Sequence, residues 1–458
     1  MTETPLAVDP TGDGATFAFV FAHASRIYVG PRANGTGAVS MRADGSDPAP
    51  ADFAFLEDVT NNRHRNTTTP PYPSIGATGC AFDTPACGPD NEDGRGLFAA
   101  GRFDGEDWLV VAGARSAGDF DYVYLSNSTE PTLTFRYVDL SAPLGGQTLG
   151  ISAMHVFNER LYLGFPDSGA NRPYLVALLR APAAPGLDAV AGAGCIPAAQ
   201  DACDLEADAI PGVGDSSSAV VIIDAITDFN NRLYLANAGG VSRSLSDAPL
   251  AGTLAGQWVG VTPTAAAYAA SPSVTTSKTA DLEPTDKAVP AFAAFGGRLF
   301  LSRNSAAGPQ LWMCAPGVVA GPAPASATDC DGGDWTLVAT NTTLNPDLSQ
   351  FDNTAHQRAT LLAAGANHLY LGFDSATGVN IFQTTATAPA GPADFTGEGD
   401  CSAAAHPASC PGLGGTGFGL ATNTRILASI MLRLGARDYL YIVTGDGSGP
   451  VRVYRIPD

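Results

Sequence analysis

Short apolar runs alternate with turn residues along the whole chain, and one arrangement of them keeps returning. It is clearest over residues 157–165 (FNERLYLGF), where the turn residues Asn158 and Glu159 separate two apolar runs. Two strand-length apolar runs joined by a tight turn predict a β-hairpin. The second run of this hairpin has seven copies, which begin at Ile27, Leu109, Leu161, Leu233, Leu299, Leu369 and Leu440.

Each copy is followed by a third short run and, in all but the last, by a fourth. In the fourth run an Asp or Gln often precedes an aromatic residue. The fourth runs lie at residues 52–53, 133–137, 204–205, 257–258, 334–335 and 394–395. Each repeat therefore predicts four short strands, which is typical of a β-propeller blade. A β-solenoid has much shorter repeats, and a β-sandwich domain needs about 100 residues.

The repeats resemble the blades of sialidase-like and kelch-like propellers, most clearly over residues 232–244 (RLYLANAGGVSRS). The resemblance covers nearly the whole chain and concerns the fold, not one specific family. It implies an all-β fold: a seven-bladed β-propeller of four-stranded antiparallel blades, forming one domain over residues 1–458. It also implies that an N-terminal strand at residues 4–8 completes the last blade and closes the ring. The alternative is a frayed N-terminus.

The charge balance limits the partners that this chain can bind. It has 24 Lys and Arg residues against 45 Asp and Glu residues, which gives a net charge of −21. An acidic surface repels phosphates, so we expect no nucleic-acid partner. The longest apolar runs, such as residues 219–223, have the length of strands and are too short to cross a bilayer. We therefore expect no membrane insertion by this segment.

The cysteines point to an oxidising compartment. Each is close in sequence to one partner, and none has the CxxC spacing or the histidine companions of a zinc site. Local disulfides imply an extracytoplasmic protein, secreted or at the cell surface. The chain opens with MTET, not with a basic and apolar signal, so we expect a mature or excised region. The predicted pairs are Cys80–Cys87, Cys195–Cys203, Cys314–Cys330 and Cys401–Cys410.

Three long connections join one predicted blade to the next, at residues 61–94, 263–288 and 397–423. Long connections in a compact domain are usually functional or disordered. The propeller resemblance implies that these loops crowd the face that usually binds ligands. We therefore expect a protein or glycan ligand there. The candidate binding residues are Arg63, His64, Arg65, Tyr72, Tyr268 and His406.

Asp-rich turns supply candidate calcium ligands, of which the best set is Asp90, Asn91 and Asp93. No turn completes the EF-hand pattern, and Asp and Gly are also ordinary turn formers. Another such turn runs over residues 329–334. The sequence thus predicts no cofactor, with calcium as the one candidate metal.

Candidate catalytic residues are few. The chain contains no GxSxG, HExxH or P-loop motif in a suitable context. His155 lies in a predicted inner strand, beside Asp224 and Asp228 of the next blade, and either lines the channel or takes part in proton transfer. The sequence favours a non-catalytic extracellular propeller that serves as a binding, adhesion or structural module, within a larger surface assembly. The alternative is a secreted carbohydrate-active hydrolase or lyase with channel carboxylates.

Overall fold

Strands dominate the computed structural model, and the only α-helix in the part of the chain it describes is Ala266–Ala269 (α1). None of the helices in these residues is long and apolar enough to cross a membrane. The structure describes residues 7–8, 18–23, 26–31, 39–42, 53–55, 98–112, 122–127, 136–140, 150–166, 174–179, 186–188, 205–209, 222–237, 239–249, 257–274, 286–317, 327–340, 356–397, 412–434, 436–446 and 451–458.

The described strands form seven sheets, and the pairing within each sheet is antiparallel with one exception. Sheet 1 contains Ala18–His23 (β2), Arg26–Pro31 (β3), Val39–Arg42 (β4) and Phe53–Phe55 (β5). Sheet 2 contains Phe98–Phe103 (β6), Glu106–Ala112 (β7), Tyr122–Ser126 (β8), Arg136–Asp139 (β9) and Gly186–Asp188 (β13). Sheet 3 contains Ala153–Phe157 (β10), Arg160–Phe165 (β11), Tyr174–Leu178 (β12) and Leu205–Ala209 (β14).

The second half of the chain continues the same order. Sheet 4 contains Ile223–Phe229 (β15), Arg232–Asn237 (β16), Gly240–Ser244 (β17) and Trp258–Gly260 (β18). Sheet 5 contains Ala291–Phe295 (β19), Arg298–Ser305 (β20), Gly308–Cys314 (β21) and Trp335–Thr340 (β22). Sheet 6 contains His356–Ala364 (β23), Leu369–Ser375 (β24) and Asn380–Thr384 (β25). Sheet 7 contains Arg425–Leu434 (β26), Arg437–Gly445 (β27), Arg452–Pro457 (β28) and Ala7–Val8 (β1).

The seven predicted anchor runs all lie in the second strand of a sheet, from β3 to β27. The turn ahead of the strand is set by residues that accept positive φ. Asn158 and Glu159 have φ of 50° and 59°, and Asn230 and Asn231 have φ of 49° and 61°. Two successive residues at positive φ match the right-handed twist of the flanking strands, which makes this a favoured hairpin turn. The predicted hairpins are therefore confirmed, and their turn residues have the backbone conformation that a tight turn requires.

Sheets 2 to 7 pack face to face in order, and each of these five pairs of neighbours buries a shared apolar cluster. Phe103 and Trp108 of sheet 2 lie in one cluster with Leu161 and Leu163 of sheet 3, and similar clusters join sheets 3 to 7 in order. The first strand of each sheet contacts the first strand of the next, and β26 contacts β2. Because both faces of a second strand are covered, its apolar residues form an almost continuous run and do not alternate with polar ones.

The N-terminal strand β1 pairs with the last strand. Ala7 lies opposite Val453, and Val8 lies opposite Arg452. Of the N-terminal run at residues 4–8, the structure describes residues 7–8, and these extend sheet 7 at its β28 edge. The all-β class and antiparallel sheets that the sequence predicts are thus present.

Two details differ from the predicted four-strand unit. The fourth run of the sixth repeat is not a strand, because Pro392–Asp394 forms a 3-10 turn and only Thr396 bridges to Gln383 of β25. The side chain of Asp394 closes this turn by accepting hydrogen bonds from the backbone of Ala390 and Gly391. In sheet 2, β13 adds parallel to β9, although it comes from the third repeat.

Candidate functional site

Two titratable side chains from neighbouring sheets meet on the first strands β10 and β15. His155 Nε2 lies 2.8 Å from Asp228 Oδ1, and the two side chains are 26% and 48% exposed. The hydrogen bond from His155 lowers the pKa of Asp228 below its ordinary value and outweighs the opposing effect of burial. The sequence predicted His155 beside Asp228 of the next blade, and the structure places them in direct contact.

Asp224 has a different environment from Asp228. In a regular strand, residues four apart share a face, but a register shift between Ile223 and Ala225 interrupts β15. Asp224 is 1% exposed, and its Oδ2 accepts a hydrogen bond from Val289 N at 3.2 Å. Asp224 therefore links sheet 4 to the segment that leads into sheet 5. This corrects its interpretation as an accessible channel acid that acts with Asp228 and His155.

Lys287 is buried beside Asp224 and was not singled out from the sequence. Its Nζ donates hydrogen bonds to Asp224 O at 2.8 Å and to Ser152 O at 3.3 Å, so it connects three successive sheets. Burial lowers the pKa of Lys287, and the charge of Asp224 acts in the opposite direction. The one feature of the sequence that could have drawn attention to Lys287 is the rarity of lysine, because Lys278 and Lys287 are the only lysines in the chain.

Two further side chains link successive sheets by accepting backbone N–H groups. Asn304 Oδ1, in β20, accepts from Ala359 N of sheet 6 at 2.9 Å. Asp374 Oδ1, in β24, accepts from Ile426 N of sheet 7 at 2.8 Å and from Thr360 Oγ1 at 2.9 Å. A buried N–H group without a partner is destabilising, so these acceptors fix how each sheet sits on the next.

Three tyrosines of the anchor runs reach the following sheet. Tyr162 OH donates to Pro249 O at 3.4 Å, and Tyr370 OH donates to Asp458 Oδ1 at 3.1 Å. Tyr234 OH accepts from Cys330 N at 3.0 Å. Each partner follows the third strand of the next sheet. The repeated Leu-Tyr-Leu pattern is thereby explained by packing between repeats and not by ligand binding.

Tyr268, one of the candidate binding residues, lies inside the protein. It is 5% exposed, its hydroxyl donates to Gly239 O, and its ring packs edge-on against Trp312 with the centroids 5.1 Å apart. The guanidinium of Arg303 lies 3.6 Å from the centre of the same ring. These contacts anchor the loop that contains α1, so Tyr268 does not present its ring on an open surface.

Cys314 and Cys330 form a buried disulfide across the outer hairpin of sheet 5, as their spacing predicts. The residues around Cys330 are held by a buried arginine. Arg243 Nη1 lies 3.1 Å from Asp331 Oδ1 and 3.8 Å from Asp329 Oδ2. The cation that these carboxylates meet is therefore a guanidinium, which accounts for the Asp-rich turn at residues 329–334 without calcium.

The remaining candidates lie outside the described residues. Within the part of the chain that the structure describes, no group of three or more His, Cys, Asp and Glu side chains is arranged to hold a metal ion. The candidates outside this part are Arg63, His64, Arg65, Tyr72, His406, Asp90, Asn91, Asp93, Cys80, Cys87, Cys195, Cys203, Cys401 and Cys410.

No protein-family model matches this chain, and no curated protein matches it. Among solved structures it is similar to a prolyl endopeptidase, with 11% identity and a TM-score of 0.41 over 97% of this chain and 47% of that one. It is similar to an ancestral GH74 enzyme, with 12% identity and a TM-score of 0.44 over 97% and 48%. It is also similar to the WD40 domain of Neurospora crassa Pan2, with 8% identity and a TM-score of 0.44 over 99% and 95%.

These neighbours are β-propeller proteins of different kinds, and they indicate no specific family. The chain spans about half the length of the prolyl endopeptidase and GH74 structures. Because all three TM-scores are below 0.5, these similarities do not assign a function to this chain. The propeller interpretation rests on the strand order and sheet packing of this chain.

Proposed function

We propose that this chain is an extracellular, non-catalytic β-propeller that acts as a binding, adhesion or structural module, within a larger surface assembly. In this proposal residues 1–458 form one domain of seven blades, and β1 completes the last blade and closes the ring. The seven described sheets, the contact of β26 with β2 and the pairing of β1 with β28 support that architecture. The Cys314–Cys330 disulfide supports an oxidising compartment.

The observation that carries the proposal is the role of the buried carboxylates. Asp224 accepts a backbone N–H group from the segment that leads into the next sheet, and Asp374 accepts one from the next sheet itself. Asp329 and Asp331 meet the guanidinium of Arg243. Asp458 accepts hydrogen bonds from the Asn367 and His368 backbone. Carboxylates with such partners hold sheets and loops together, so their role is structural. An enzyme that uses acid–base catalysis would instead direct such carboxylates at its substrate.

The ligand that we propose is a protein or a glycan on the face formed by the long connections. Arg63, His64, Arg65, Tyr72 and His406 remain the proposed contact residues, and calcium at Asp90, Asn91 and Asp93 remains a proposed accessory ion. With a net charge of −21, the surface suits partners that carry basic groups or no charge.

A ligand screen on the oxidised protein tests this function. Thermal unfolding would be followed with panels of glycans and surface proteins, in calcium and in chelator. We expect the melting temperature to rise with one ligand class, because a ligand that binds only the folded state stabilises it. Each glycan that binds would then be incubated with the protein and analysed for cleavage. Release of cleaved glycan would overturn the non-catalytic proposal.

A secreted carbohydrate-active hydrolase or lyase is the second candidate, and one observation favours it. The hydrogen bond between His155 and Asp228 joins an imidazole to an ionised carboxylate on an accessible part of two first strands. Such a pair can accept and return a proton during bond cleavage. If cleavage is seen, Asp228→Asn should reduce kcat by about 100-fold or more, while Glu159→Gln, a nearby exposed carboxylate, should leave it unchanged.

A further inference from the structure

The fold does not require a polar pair where His155 and Asp228 meet. Each of these first strands ends in a phenylalanine before its hairpin turn, and His155 lies two residues before that phenylalanine while Asp228 lies one residue before it. One sheet earlier, Gly101 and Val156 occupy the same two positions. There, a Cβ added to Gly101 would lie 2.8 Å from Val156 Cβ, so glycine and valine pack directly. The next sheet pair has Thr227 and Ala294 at these positions. A pair of small side chains that carry no charge therefore serves the same junction elsewhere.

The surroundings of the pair are apolar. On β10 and β15, side chains two residues apart share a face, which places Ala153 and Phe157 next to His155 and Ile226 next to Asp228. These three residues belong to the apolar cluster of sheets 3 and 4. Met154 and Val156 of β10 are partly exposed on the other face of the strand. The ionised carboxylate of Asp228 thus lies beside apolar side chains of both strands.

Asp228 has capacity for another partner. Among the described residues, the only side chain that bonds to it is His155, and that bond uses Oδ1. The carboxyl group is about half exposed and keeps its negative charge, since its pKa is lowered. A carboxylate oxygen can accept more than one hydrogen bond, and bonds between charged groups are stronger than neutral ones.

We propose that His155 and Asp228 form the polar end of a binding site for a small organic cation, a protonated amine attached to an apolar body. The ammonium group donates hydrogen bonds to the carboxylate of Asp228, and the apolar body lies over Ala153, Phe157 and Ile226, which share the faces of His155 and Asp228. Small-molecule sites commonly combine an apolar wall with one or two placed polar groups. This inference rests on the proposed binding function and names a ligand class for a second surface, apart from the long loops.

Calorimetric titration of the full chain with 2-phenylethylammonium tests the site, with neutral 2-phenylethanol as the matched ligand. We expect the amine to bind at least about tenfold more tightly than the alcohol, because only the amine forms the charge-assisted bond. Asp228→Asn should weaken amine binding by about tenfold or more. Glu159→Gln removes the same charge from an exposed residue that pairs with Arg102, and it should change the affinity less than about twofold.

His155→Ala provides a second variant, because it removes the imidazole and keeps the carboxylate. It should retain amine binding to within about threefold. The proposal is overturned if amine and alcohol bind equally, if Asp228→Asn binds the amine normally, if His155→Ala loses binding as fully as Asp228→Asn does, or if no heat is seen at about 10 mM amine. Asp228→Asn should leave glycan or protein binding at the loops unchanged, so failure of either proposal can be told from failure of the other.

Discussion

The junction between sheets 4 and 5 and the junction between sheets 6 and 7 use the same kind of contact in different surroundings. At the first, Asp224 Oδ2 accepts from Val289 N at 3.2 Å; at the second, Asp374 Oδ1 accepts from Ile426 N at 2.8 Å. Asp374 also accepts a hydrogen bond from the hydroxyl of Thr360. Asp224 instead lies near the buried ammonium of Lys287.

Both carboxylates link two sheets through a backbone N–H group, and the carboxylate of Asp224 also lies near a buried ammonium. Lys287 must lose its hydration to lie where it does, and two backbone carbonyls replace only part of that hydration. A buried charge that is paired is often no better for stability than an apolar side chain, whereas one that loses its partner is costly. The two junctions should therefore respond differently to the same substitution.

The largest effect is expected from Asp224→Ala. It removes the acceptor of Val289 N and the negative charge near Lys287, so the free energy of unfolding should fall by about 3–5 kcal/mol. Denaturant unfolding of the oxidised protein measures this. Asp228→Ala on the same strand is the control, because its half-exposed carboxylate should contribute about 1 kcal/mol or less. Equal losses in the two variants would contradict the assignment of Asp224 to the junction.

Asp374→Ala should destabilise the protein by a smaller amount, about 2–3 kcal/mol. Two donors, Ile426 N and Thr360 Oγ1, lose their acceptor. Thr360→Val removes one of the two bonds and should lower the free energy of unfolding by about 1 kcal/mol. If Asp374→Ala were as damaging as Asp224→Ala, the burial of Lys287 would not make the first junction the more sensitive of the two.

Lys287→Met should change the free energy of unfolding by no more than about 1 kcal/mol, and an increase would agree with this prediction as well as a decrease. Methionine has a similar length and needs no hydration, and Asp224 keeps the Val289 bond. The same denaturant experiment measures the change. A loss of about 3 kcal/mol or more would mean that the ammonium stabilises its junction, contrary to the comparison.

The smallest effect is a pH dependence. Burial lowers the pKa of Lys287 in the folded protein from its ordinary value of 10.5. Between the lowered value and 10.5 the unfolded chain binds more protons at this group, so the contribution of Lys287 to stability rises with pH across that window. The contribution is complete above 10.5 and is lost as the pH falls through the lowered value. The wild type should therefore gain stability relative to Lys287→Met as the pH is raised, and a flat difference would count against the shift.

The repeat made much of the fold predictable. Leucine and tyrosine in the anchor runs identify the second strands, and turn pairs such as Asn230 and Asn231 mark the hairpins, because these features depend on residues close in sequence. Aromatic residues such as Trp335 mark the start of a fourth strand. The sixth repeat departs from the pattern because Pro392 and Asp394 favour a capped turn.

The candidate site was less predictable because its geometry depends on contacts between repeats. His155 could be placed beside Asp228 once the repeats were aligned. Asp224 was misjudged because one bulge in β15 turns it out of the alternating pattern, and no local signal reveals the bulge. Lys287 donates to Ser152, which is 135 residues away in sequence. Partners at such separations are fixed by how the sheets stack, which a single sequence does not specify.

The contacts that join one repeat to the next are directed mainly at backbone atoms. Tyr162 and Tyr234 bond to backbone groups of Pro249 and Cys330, and Asn158 bonds to Asp247 O at 2.9 Å. A backbone group is present whatever side chain it carries. A gene for such a protein can therefore lengthen or diverge by duplicating one unit, because a new copy finds the same partners on its neighbours, and its loops are free to acquire new sequences.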